Sequence, residues 1–245
     1  MDTGFVFILL LFVVSLLYAS VGHGGASGYL ALMALFQFSP DVMKPTALLL
    51  NIFVSFTSFV QFYRGKHFNL KIFYPLVIAS VPMAFLGGLT HIDGALYKKI
   101  LGILLLVPVI RFLIFPDPSL EPRQRSDFRI SLLIGAGIGY LSGLIGIGGG
   151  ILLSPILLFL RWTDQKQTAA ISALFILINS LAGLMGQWMS GLSFSADMLS
   201  LILVTFAGGW LGAYLGSTRF PQRVLKFILA LVLSLASYKL IFTTA

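Results

Sequence analysis

Cysteine is absent from these 245 residues, and charged side chains make up only 10% of them. The first absence excludes disulfides and thiolate metal sites. The second excludes an ordinary soluble domain, in which about 25% of residues are charged. Histidine is scarce too, at 3 residues, and the 8 acidic residues all fall outside the long apolar runs. Without a deep Asp or Glu there is no carboxylate relay for protons. An intramembrane enzyme would lack the positioned acids, bases and metal ligands it needs. No cofactor and no metal are expected. Lys and Arg number 16, giving a net charge of +8. They are scattered among short loops, which suits topology signals and headgroup contacts and does not suit nucleic-acid binding.

What is there is apolar: 58% of the chain is hydrophobic. Uncharged or nearly uncharged runs cover 4–38, 45–63, 72–90, 94–115, 130–160, 167–190, 198–218 and 224–242. A membrane-spanning helix needs about 20 residues, and six of the runs have that length. The first and fifth are too long for one span, and each holds a glycine cluster near its middle. The stronger cluster is Ser142-Gly143-Leu144-Ile145-Gly146-Ile147-Gly148-Gly149-Gly150; the weaker is Val21-Gly22-His23-Gly24-Gly25-Ala26-Ser27-Gly28. Glycine costs a helix about 1 kcal/mol against alanine, so each cluster predicts a helix that breaks at depth into two arms of about 15–17 residues, its freed backbone lining a cavity. Pro155 is expected to belong to the second break. No Lys or Arg precedes the first apolar run and apolar sequence resumes at Tyr29, which predicts a retained membrane segment in place of a cleaved signal peptide.

The halves resemble each other. Gly22, Gly24 and Gly25 recur as Gly146, Gly148 and Gly149, Thr46-Ala47-Leu48 as Ser172-Ala173-Leu174, and Leu86-Gly87 as Leu211-Gly212. A polar, proline-rich stretch joins them, predicting a first transmembrane repeat over 1–115, a cytoplasmic linker over 116–128 and a second repeat over 129–245. The expected fold is an all-α polytopic membrane protein, each repeat a glycine-broken helical hairpin followed by three transmembrane helices. Eight simple alternating helices would divide the 16 basic residues evenly. Two hairpins returning to their own side leave Lys44, Lys98, Lys99 and Lys239 on one face and the other twelve on the opposite face. The positive-inside rule selects the second arrangement, with both termini outside and an odd number of crossings per half. The repeats are then inverted, a plan common among secondary transporters.

Helices restarting after Gly25 or Gly150 present free N–H groups and a positive dipole end, which suits an anion. The expected substrate-binding set is therefore Gly22, His23, Gly24, Gly25, Ser27, Asn51, Gly146, Gly148, Gly149, Gly150, Ser154 and Asn179. His23, the one histidine at depth, is also the candidate for proton coupling. Gln61, Gln187 and Trp188 read as interface anchors.

The second cluster followed by Ser154-Pro155, with Ala47-Leu48 and Ala173-Leu174 in the next helices, resembles the TauE/SafE sulfite exporter family over essentially the whole chain. In the first half, Gly22-His23-Gly24-Gly25-Ala26 stands where the family pattern resembles Gly-x-Gly-Gly-Gly, and no proline follows it. The resemblance implies a multi-spanning bacterial inner-membrane protein that moves sulfite, sulfonates or related organic anions. The expected partners are that small anion, the bilayer and a second copy of the chain. The rival readings are an anion channel, which needs the same donors, and a structural membrane subunit.

Overall fold

The computed structural model describes residues 3–20, 24–114, 126–191, 197–216 and 233–242. Helices account for nearly all of them: α1 Thr3–Ser20, α2 Ala26–Leu35, α3 Pro40–Arg64, α4 Leu70–Leu89, α5 Gly94–Ile114, α6 Phe128–Ile145, α7 Gly150–Phe159, α8 Gln165–Met189, α9 Asp197–Gly216 and α10 Leu233–Phe242. Among the described residues α3, α4, α6 and α8 are long and apolar enough to cross a membrane. The linker over 116–125, Gly22 and His23 lie outside the described residues.

Both long runs break at their glycines, but into unequal arms. The first arms, α1 and α6, have 18 residues each and the second arms, α2 and α7, have 10 each. The short arms stop early because the chain turns left-handed just past them, at Gln37 (φ 63°) and Arg161 (φ 55°). There Phe38 N–H donates to Met33 O and Trp162 N–H to Leu157 O, closing the same C-terminal turn twice. Pro155 lies inside α7 and is no part of the break. Four helices are capped by an Asx side chain, Asn69 for α4, Asp93 for α5, Asp127 for α6 and Asp164 for α8, while α3 starts at Pro40 after Ser39 with no side-chain cap. The two that restart after a break are preceded instead by left-handed glycines, Gly25 (φ 92°) and Gly149 (φ 80°), with no side-chain cap.

The first hairpin returns to its own side, since Phe7 near the start of α1 meets Phe36 and Phe38 beyond the end of α2, with ring centroids 5.2 and 5.1 Å apart. Packing then crosses between the halves. α6 lies along α4 in the same direction, with Gly135, Gly139 and Gly143 set against the carbonyls of Leu76, Ser80 and Ala84. α9 lies along α1 in the same way, with Gly208 and Gly212 against the carbonyls of Phe12 and Leu16. Small residues let backbones approach this closely in membranes, where no hydrophobic force draws helices together. α3 and α8, 25 residues each, cross in opposite directions, Leu48 facing Gly183 and Asn51 facing Ser180. Gln187, expected at the interface, is buried and donates from Nε2 to Gly143 O (3.2 Å). Large apolar side chains such as Phe5, Leu9, Phe56, Leu133 and Phe159 are left exposed on the outside of the bundle, as lipid-facing residues are.

Candidate functional site

The two breaks converge on the middle of the α3–α8 crossing. A Cβ built on Gly24 would come 2.8 Å from Asn51 Oδ1 and 2.9 Å from Ile176 Cγ2. One built on Gly148 would strike Asn51 Nδ2 and come 2.9 Å from the same Ile176 carbon. Asn51 and Ile176 are each the twelfth residue of their helix. Two interruptions 124 positions apart thus close on one pair of side chains, and neither leaves room for a side chain of its own.

A small cavity of about 10 Å3, room for roughly one water molecule, lies at this junction, lined by Tyr18, Gly24, Gly25, Ala26, Ser27, Asn51, Ile147, Ile151 and Ile176. Its wall is apolar at Ile147, Ile151 and Ile176 and polar at Tyr18, Ser27 and Asn51, and it includes no charged residue among the described residues. Asn51 is fully buried, and its Oδ1 accepts the Ala26 N–H at 3.0 Å. That bond satisfies one of the N–H groups a helix start leaves open. Its Nδ2 donates to Ser180 Oγ at 3.5 Å, the outer limit of a hydrogen bond. Ser27 Oγ donates to the Tyr18 hydroxyl oxygen at 2.8 Å. A tyrosine hydroxyl that accepts one bond can also donate another, and Tyr18 is part of the cavity wall. Behind this pair, Tyr29 O–H donates to Ser15 Oγ (3.2 Å), which donates to Thr205 O (2.5 Å), tying the first hairpin to α9.

The expected residues divide. Gly24, Gly25, Ser27 and Asn51 line the cavity, and Gly148 packs on Asn51 from the second break. Gly150 abuts Ile176, while Gly149 faces Ile138 and Phe175. Gly146 ends α6, its N–H donating to Ser142 O at 2.8 Å, and sits against the backbone of Lys44. Ser154 does not reach the cavity: its hydroxyl is bonded to Gly150 O (2.9 Å) and to Ser172 Oγ (2.8 Å). Serine within a helix commonly turns back to the carbonyl four residues earlier. Asn179 does the same from Nδ2 to Phe175 O at 2.8 Å, and its Oδ1, with no partner, is not part of the cavity wall. It stands three residues beyond Ile176, the position on α8 that faces the cavity. Sequence reading missed Tyr18, Ala26, Ile147, Ile151 and Ile176; on helices apolar on every side, hydrophobic periodicity marks no inward face.

The arrangement offers a small solute hydrogen-bond donors of neutral groups at the centre of a membrane-embedded bundle. Among known proteins, the chain is similar to a probable membrane transporter protein, y4hK, of Sinorhizobium fredii, with 37% identity over 239 residues covering 94% of this chain and 95% of that one. It is similar to the probable membrane transporter protein YjnA of Bacillus subtilis at 28% identity, covering 93% and 96%. It is also similar to the probable membrane transporter protein MJ0441 of Methanocaldococcus jannaschii at 31%, covering 71% and 68%. No solved structure matches it. The sulfite exporter TauE/SafE family profile matches residues 7–240, nearly end to end and through both breaks. The chain is therefore a membrane transporter protein and belongs to the TauE/SafE sulfite exporter family.

Proposed function

We propose that the cavity at the two breaks binds a small sulfur-containing or organic anion, such as sulfite or a sulfonate, and that the protein moves it across the bacterial inner membrane by alternating access. The observation that carries this reading is a cavity with hydrogen-bond donors and, among the described residues, no charge, set where two helices restart at glycines, one N–H of α2 being already taken by Asn51. Helix N-termini favour anions through free N–H groups and the dipole. The Tyr18 O–H adds a donor beside them. Neutral donors hold an anion without the desolvation cost of a buried cation.

The two halves act as inverted repeats in this proposal. Three facts support it: helix lengths of 18, 10, 25 and 20 run in the same order in each half; the left-handed turns at Gly25, Gln37 and Lys66 recur at Gly149, Arg161 and Gly191; and α3 runs opposite to α8 while α1 matches α9 and α4 matches α6 in direction. An axis in the membrane plane relates two halves in this way. Both termini then lie on the outer face.

Competition binding to purified protein tests the substrate class, with sulfite, sulfate, thiosulfate, taurine, sulfoacetate and lactate as competitors. At least one sulfur oxyanion or sulfonate should displace labelled sulfite. Equal indifference to the whole series removes the anion reading. Saturable counterflow of labelled sulfite in proteoliposomes is expected of a carrier, and a channel shows none.

A further inference from the structure

Lys44 lies in the second turn of α3 and is only 9% exposed, the one buried Lys or Arg among the described residues. Its ammonium stands 4.7 Å from the ring centroid of Tyr97, itself fully buried. The Tyr97 hydroxyl donates to Ile145 O at 3.0 Å, fixing the ring against the end of α6 where the second break begins. The Lys44 backbone is just as close to that break: a Cβ on Gly146 would come 3.0 Å from Lys44 O and 3.1 Å from its Cα. The next residue, Ile147, lines the cavity.

A buried ammonium has three N–H donors to satisfy. Lys44 makes no hydrogen bond and no ion pair with any described residue. Asp41, one turn earlier on the same helix, attracts it electrostatically but is exposed and makes no ion pair with it. A tyrosine face offsets part of the cost of burying the cation but accepts none of those hydrogen bonds. An ionisable side chain buried in a membrane bundle commonly marks a solute path, where it meets a group of opposite charge. The helical repeat completes the placement. Lys44 and Asn51 are seven residues apart, hence on one face of α3 and about 10 Å apart along its axis.

We propose that Lys44 is the charge-selecting contact of the permeation path, a capture site that holds the anion by its ammonium before the anion moves to the neutral cavity at Asn51. This rests on the anion-transport reading above. The two sites divide the work: the cation selects for negative charge near the mouth, and the uncharged cavity holds the ion weakly enough to release it. Tyr97 is the positioning residue, keeping the ammonium off the lipid and aimed at the break.

The test is initial-rate uptake of labelled sulfite into proteoliposomes by wild type, Lys44→Gln and Lys44→Arg. Lys44→Gln should raise KM at least tenfold with a smaller change in maximal rate, and Lys44→Arg should stay within about threefold of wild type. A KM for Lys44→Gln within twofold of wild type overturns the proposal and leaves the cavity reading intact. A wild type that carries no sulfite overturns both. Should Lys44→Gln fail to give a monodisperse protein, Lys44→Cys on this cysteine-free chain takes its place. Alkylation with 2-bromoethylamine rebuilds a lysine-length ammonium through a thioether that sulfite does not cleave. Rescue by that reagent and not by iodoacetamide supports the proposal; equal activity after both overturns it.

Discussion

Gly148→Ala should be the costliest single methyl that can be added to the second break, and the size of the effect follows from two separable causes. The backbone at Gly148 is left-handed, φ 72°, which an L side chain enters at about 1–2 kcal/mol. The new Cβ would also strike Asn51 Nδ2 and stand 2.9 Å from Ile176 Cγ2 and 3.1 Å from Ser180 Oγ. Overpacking a tight site adds about 1–3 kcal/mol, for a total near 2–5 kcal/mol. Two other glycines isolate the causes. Gly191 has φ 93° and nothing within 4 Å of its built Cβ, so alanine there meets only the backbone penalty. Gly137 has open space and an ordinary helical backbone, so alanine there should be neutral or slightly stabilising. Thermal melting in a single detergent, read by size exclusion, should rank the variants Gly137→Ala, then Gly191→Ala, then Gly148→Ala. The last should melt on the order of 10 °C below wild type, at about 2–4 °C per kcal/mol for a chain of this size. Gly148→Ala should also lose sulfite uptake, while Gly191→Ala keeps it. A Gly148→Ala protein that melts with Gly191→Ala would refute the claim that the break is closed on Asn51 and Ile176.

Asn51→Leu keeps the shape but strands the buried Ala26 N–H, a loss of about 1–3 kcal/mol; sulfite uptake should fall more than tenfold in protein that still elutes as a single peak, and uptake within twofold of wild type would take Asn51 out of the site. Gly143→Val drives a branched side chain into the Ala84 carbonyl, so α4 and α6 must part; melting should drop by several degrees or the protein should aggregate, and an unchanged melting curve would contradict the close seam. Ser154→Ala removes a hydroxyl that is already bonded within α7 and to α8, at a cost of about 0.6 kcal/mol in membrane proteins; uptake should remain within twofold, and its abolition would return Ser154 to the binding site.

The helices and their breaks were readable because apolar run length and glycine cost are local quantities. Arm lengths were not. They depend on Gln37 and Arg161 adopting left-handed turns that their side chains give no reason to expect. About the candidate site the sequence was half informative. Gly24, Gly25, Ser27 and Asn51 stand out as glycines or polar residues in apolar surroundings, and all four line the cavity. Asn179 stands out equally and does not, because residue type marks a polar group at mid-span without saying which way it faces; counted from the helix starts, Ile176 is the residue that matches Asn51. Lys44 was assigned to a loop, one residue before an apolar run, since nothing in the sequence shows Tyr97 covering it.

The glycine seams also fix which parts of this molecule behave as solid pieces. Where Gly135, Gly139 and Gly143 lie directly on the main chain of α4, and Gly208 and Gly212 on that of α1, one rod cannot slide past the other without colliding with peptide groups. Each seam joins a rod from one half of the sequence to a rod from the other. Any rocking of the bundle must therefore carry mixed blocks, stitched from both halves of the chain, and the give must come at the α3–α8 crossing, where Leu48 and Asn51 of α3 meet α8 through their side chains.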